Sequence, residues 1–122
     1  MPKRRNGSLA AKQGNAKAQN NIGFMYANGQ GVTQDYAEAV RCYRLAADQG
    51  EALAQSNLSL MYAQGHGVLQ DYVIAHMWLN LSAAQGYGNA IINLHIIVSR
   101  MTPEQIAEAQ KLARKWKPKL ER

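Results

Sequence analysis

The chain has 122 residues, 47% of them apolar and only 7% aromatic, and carries a formal net charge of +6. That length suits one domain, and that apolar share argues against wholesale disorder. A lone cysteine, Cys42, excludes an intrachain disulfide and a thiolate metal cluster, and no apolar run approaches the ~20 residues needed to cross a bilayer.

The charge is unevenly placed. Residues 1–17 hold five basic groups and no acid, and residues 100–122 hold Arg100, Lys111, Arg114, Lys115, Lys117, Lys119 and Arg122 against Glu104, Glu108 and Glu121. Between them, Arg41 and Arg44 stand among five acids. A nucleic-acid binder gathers basic groups along one face and interleaves aromatics for stacking. Two basic ends read instead as solvated termini, so nucleic acid or another anionic ligand is only the alternative partner. The start, Met1-Pro2-Lys3-Arg4-Arg5, resembles the basic head of a signal peptide, but no apolar stretch follows it. As the sequence stands a cytoplasmic protein is expected; if cut from a longer precursor, a secreted or periplasmic one.

Laid over each other with a shift of 36, residues 14–49 and 50–85 are identical at 18 of 36 positions without a gap. The densest match pairs Met25-Tyr26-Ala27 with Met61-Tyr62-Ala63, Gly29-x-Gly31-Val32 with Gly65-x-Gly67-Val68, and Gln34-Asp35-Tyr36 with Gln70-Asp71-Tyr72. Such self-similarity is the signature of a repeat protein. The expected organisation is a single repeat domain. Residues 1–13 form a partial repeat or tail, 14–49 and 50–85 two whole repeats, 86–100 the first helix of a third, and 101–122 a capping helix with a basic tail.

In chain order, Leu9–Gly14 echoes Leu45–Gly50 but lacks a partner helix, so this weakly capped end is expected to pair with a second copy. The first helix is predicted from about Ala16 to Asn28, with Ala18, Ile22 and Tyr26 on one face. Gly29 closes it in a left-handed conformation. Asp35 is a natural N-cap for the second helix, which ends near Gly50, and Glu38 stands where it would complete a capping box. The same hairpin recurs from Ala52, with Asp71 as cap but Ile74 in place of the glutamate. A third first helix begins after Gly86. Finally Thr102-Pro103-Glu104-Gln105 opens a helix with an apolar stripe of Ile106, Ala109, Ala113 and Trp116, stopped by Pro118.

No residue presents itself for chemistry. His66, His76 and His95 lack the i, i+4 spacing of a helical metal pair, and the two Gly-x-Gly turns follow helices and lack the lysine of a phosphate loop. Cys42 sits mid-helix at the position held by Trp78, where burial is expected and no base is marked for it. No catalytic, metal or cofactor-binding residue is therefore expected, and no enzyme activity.

The pattern Ala-x-Ala-Gln, an aliphatic residue, Tyr, Gly-x-Gly-Val, Asp-Tyr and a closing Ala-Ala-x-Gln-Gly resembles the Sel-one-like repeat, a relative of the tetratricopeptide repeat. The likeness covers residues 14–94, and Met101–Ile106 resembles the closing helix of bacterial members. Two departures stand out: Cys42 where the family favours tryptophan, and Ser59 in place of the glycine seen at Gly23. The resemblance implies an all-α fold, an α/α superhelix of helical hairpins, acting as an adaptor or scaffold without a cofactor.

It also implies that the first helix of each unit lines the concave side, where a protein or peptide partner would lie. An apolar column repeated every 36 residues, Phe24, Leu60 and Ile96, either lines this groove or packs between the helices. Asn21, Asn57 and Asn93 offer a ladder of amides, and Asn20, Ser56 and Ile92 stand beside it. Lys17, Leu53 and Asn89 lie a turn earlier.

Overall fold

The computed structural model describes residues 14–119, and the expected partial repeat and sticky N-terminal end lie, except for Gly14, outside them. The described residues form six α-helices and no strand: α1 (Ala16–Asn28), α2 (Tyr36–Asp48), α3 (Ala52–Gln64), α4 (Tyr72–Ala84), α5 (Gly88–Ile97) and α6 (Pro103–Lys115). A short 3-10 turn, Val98–Arg100, follows α5.

Local chemistry sets the helix ends. The Asn15 and Glu51 side chains accept the N–H of Ala18 and Ala54, at 2.9 and 2.8 Å, and Gly29 and Gly65 close α1 and α3 with φ of 66° and 70°. Asp35 and Asp71 cap α2 and α4 by accepting from Glu38 and Ile74 N–H, each at 3.1 Å. The capping box expected at Glu38 does not form. Asp35 N–H is already donated across the hairpin to the Tyr26 carbonyl at 2.9 Å, and the Glu38 carboxylate takes Arg41 Nε at 3.0 Å instead. Asp71 N–H goes likewise to the Tyr62 carbonyl, so Ile74 costs the second unit no bond.

Packing follows the repeat. α1 lies on α2 and α3 on α4 within units, while α2 on α3 and α4 on α5 join one unit to the next. Alanines at 39, 46, 47, 54 and 75 are fully buried, letting backbones approach around Tyr43, Leu58 and Trp78. The joints are also polar. Gln49 Nε2 donates to Gln19 Oε1 at 2.6 Å and, 36 residues on, Gln85 Nε2 donates to Gln55 Oε1 at 3.0 Å. Both acceptor glutamines are fully buried, and the described residues hold no buried side-chain nitrogen or oxygen without a partner.

Two close approaches fix how tightly the helices meet. A Cβ at Gly23 would lie 2.8 Å from Tyr43 Cδ1, whereas Ser59 fits in the second unit, where Leu79 replaces the tyrosine. At Gly67 a Cβ would lie 2.6 Å from the Tyr36 carbonyl oxygen, so the turn of the second unit rides on the backbone of the first. The neighbouring His66 ring stacks on Tyr36 with centroids 4.4 Å apart.

The closing helix forms as expected, with Thr102 and Gln105 bonded reciprocally in a capping box. It packs on α4. Ala109 is fully buried, but Trp116 is not helical: the helix ends at Lys115, and Trp116 turns out with ψ 142° to meet Trp78 edge-on at 6.2 Å. The residue before Pro118 disfavours helix, so the chain has left it before the proline.

Candidate functional site

The first helices present one face in register. Along α1 it runs Lys17, Asn21, Phe24, Asn28; along α3 Leu53, Asn57, Leu60, Gln64; and along α5 and its 3-10 turn Asn89, Asn93, Ile96, Arg100. Each row steps by 36 residues from helix to helix, and every member is exposed except the half-buried Asn57 and Asn93. The apolar row is open to solvent, with Phe24 48%, Leu60 39% and Ile96 59% exposed.

Cavities lie between neighbouring columns. One, of about 230 Å³, is lined by Phe24, Asn57, Leu60 and Gln64, with Tyr36 and Tyr43 from α2. The other, of about 300 Å³, is lined by the residues 36 positions on: Leu60, Asn93, Ile96 and Arg100, with Tyr72 and Leu79 from α4. They are one cavity built twice. Leu60 belongs to both. No carboxylate lines either.

Of the residues singled out from the sequence, Lys17, Asn21, Phe24, Leu53, Asn57, Leu60, Asn89, Asn93 and Ile96 fall on this face. Asn20 and Ser56 do not. They are 5% and 3% exposed, turned between helices, and Asn20 Oδ1 accepts from Asn57 Nδ2 at 3.0 Å. One helical step of about 100° carries them from the open face into the joint with the next helix. Ile92, in the corresponding place on α5, is 58% exposed because no further first helix follows it among the described residues. The row Asn28, Gln64, Arg100 was missed by the sequence reading. Its signal was spacing, four residues beyond the apolar row, but three unlike side chains hid it.

The remaining candidates are structural. Among the described residues no group of three or more His, Cys, Asp or Glu side chains could hold a metal. Cys42 is fully buried, and burial pushes its thiol above the usual value, away from the thiolate a nucleophile needs. Trp116 is packed on Trp78, so the basic end of α6 offers no free aromatic for base stacking. None of the described helices is long and apolar enough to cross a membrane.

His76 is buried in α4, with Asn80 Nδ2 3.3 Å from its Nδ1, which accepts in the neutral tautomer that carries its proton on Nε2. Burial pushes this imidazole below the ordinary 6.5, outweighing its backbone hydrogen bond. The unfolded chain therefore takes up this proton first. The contribution is steady above pH 6.5, and stability falls as pH drops below 6.5 toward the lower folded value. Melting temperature should decline on acidification through that window, and His76→Gln should flatten this part of the profile.

The Sel1 repeat family model matches residues 16–51 and 52–87. A solved structure of a protective antigen present in uropathogenic Escherichia coli strains, displaying an SLR fold, superposes with a TM-score of 0.87 at 32% identity. It covers 90% of this chain and 24% of that one. A Sel1 repeat protein from Oxalobacter formigenes superposes with a TM-score of 0.69 at 30% identity, covering 86% of this chain and 45% of that one. The chain thus spans less than half the length of either protein. No curated relative matches it.

Proposed function

Since the chain belongs to the Sel1 repeat family, whose members are generally protein-interaction scaffolds, we propose that it is a non-enzymatic adaptor that holds a peptide or protein partner on its first-helix, concave side. The observation that carries this reading is the cavity built twice along an exposed apolar row, Phe24, Leu60 and Ile96. Large apolar side chains rarely line up in solvent without a partner. Asn21, Asn57, Asn93 and Gln64 supply amides beside them for a partner's backbone, while Lys17 and Arg100 mark two corners with positive charge.

Leu60 is the test position because it belongs to both cavities. Leu60→Lys should change folding stability by no more than about 0.5–1 kcal/mol, since the side chain is already 39% exposed. A docked partner would bury the new ammonium without a counter-charge, costing several kcal/mol, enough to remove most of a micromolar affinity. Melting temperature and partner retention from a source lysate are to be measured on both proteins. A stable variant that still retains the same partner would overturn the proposal.

A further inference from the structure

The two whole units show what covers a first helix, and α5 lacks that cover. Where α1 carries Gln19, Asn20 and Gly23 and α3 carries Gln55, Ser56 and Ser59, α5 carries Ile91, Ile92 and His95. All six earlier residues are buried. Gln19 and Gln55 meet the ends of their own second helices through Gln49 and Gln85, Gly23 faces the Tyr43 ring, and Asn20 bonds across to Asn57 on the next first helix. In α5 the same three positions are open: Ile91 is 43% and Ile92 58% exposed, and His95 is exposed as well. α5 rests on α4, and α6 packs on α4 too. Among the described residues, then, no helix covers α5 as α2 covers α1 and α4 covers α3.

The change of residue type says what kind of surface belongs there. A further unit like the first two would need at position 91 the glutamine that bonds at each earlier joint. Isoleucine offers no such bond and is stabilised only by apolar cover. Residues 72–99 contain no Lys, Arg, Asp or Glu, so the face has no charge with which to select an acidic or basic partner. On a chain of net charge +6 it is also where two copies approach with least repulsion. Ile91, Ile92 and His95, with Ile96 at their edge, form a stripe at i, i+1, i+4 and i+5 along one side of the helix. Gly88 heads that stripe, and nothing lies within 4 Å of where its Cβ would stand, which leaves the backbone open to close approach. A neutral apolar stripe is complementary to itself, as a two-fold contact requires. We infer that the occupant is a second copy of this chain: two α5 helices pack antiparallel about a two-fold axis, the Ile91 and Ile92 side chains of each against the stripe of the other. The contact lies beyond the edge of the groove and does not depend on what the groove holds.

Sedimentation equilibrium of the full chain over a concentration series tests this. We expect a dimer half-formed near about 100 µM, the weak end of specific association for a contact one short helix wide, and no larger species. A substitution at position 92 enters the contact twice. Ile92→Glu should therefore weaken the dimer about a hundredfold, about tenfold from each copy. Ile92→Ser, which writes in the residue that the second unit carries at Ser56, should weaken it at least about tenfold and serves if the glutamate variant fails to fold. Ile92 is already more than half exposed, so melting temperature should hardly change. An equimolar mixture of Ile92→Glu and Ile92→Lys should restore the dimer that neither forms alone. Leu69→Glu, at a turn residue 91% exposed, should leave dimerisation unchanged. A wild-type chain still monomeric at about 1 mM overturns the inference and leaves the face to a helix of another protein. Dimers that persist in folded Ile92→Glu or Ile92→Ser overturn it in favour of pairing elsewhere, as at the N-terminal end. Growth beyond two copies, or no dimer in the mixture, excludes the two-fold pairing of α5 and overturns it too.

Discussion

Gly67→Ala is expected to destabilise the fold by at least about 3 kcal/mol, whereas the same change at Gly31, its counterpart one repeat earlier, costs about 1 kcal/mol. Both residues have positive φ, 77° and 75°, so the strain of a left-handed alanine is common to them. The difference is what the new methyl meets. At Gly31 the nearest neighbour is Met25 Cε at 3.6 Å, the free end of a flexible side chain. At Gly67 it is the Tyr36 carbonyl, with oxygen at 2.6 Å and carbon at 2.7 Å, backbone that moves only if the units separate. Thermal melts of the two variants side by side should differ by roughly 8 °C or more for a chain of this size. Similar losses would mean that the inter-unit contact is slack.

Gly23→Ser should cost about 2 kcal/mol, although serine is the better helix former, because its Cβ would sit 2.8 and 2.9 Å from the Tyr43 ring. Tyr43→Leu alone should cost a similar amount by leaving a cavity in the core. Together the two changes write into the first unit the pair that the second unit already carries, Ser59 against Leu79. The double variant should therefore be more stable than the sum of the single losses predicts, by at least about 1 kcal/mol in a double-mutant cycle. Simple additivity would show that the two positions do not compete for the same space.

That pair also shows how far one sequence could be read. The hairpins, their Asp35 and Asp71 caps and the left-handed glycines were legible because the chain states them twice, and agreement at 36-residue spacing marks what the fold requires. Ser59 read as a departure, since the compensating Leu79 lies twenty residues on and only packing joins them. The buried polar joints were less legible still. Gln19, Asn20 and Gln55 look like surface in any reading based on apolar periodicity, yet they are buried and hydrogen-bonded. Polarity reports exposure only where no neighbour offers a partner. For the same reason Asn20 belonged by spacing to the expected surface and by hydrogen bonding to the interior, and Ser56, one repeat on, is buried beside the next helix. Arg100 was read only as part of a solvated basic end, because it follows α5 and has no charged counterpart in either earlier unit.

The end of the chain carries a thermodynamic consequence. Beyond α6, Trp116 meets Trp78 in the second unit, and the Lys119 N–H donates to the Asp48 carbonyl of the first at 2.6 Å. A stack in which each unit touches only the next can melt from an end, one unit at a time. Here the last residues reach past their neighbour to the unit before it, so peeling them away loosens two units at once. Opening at this end is thereby coupled to opening in the middle. The array is drawn toward a single cooperative transition, and its terminal amides should exchange with solvent more slowly than their place in the chain would suggest.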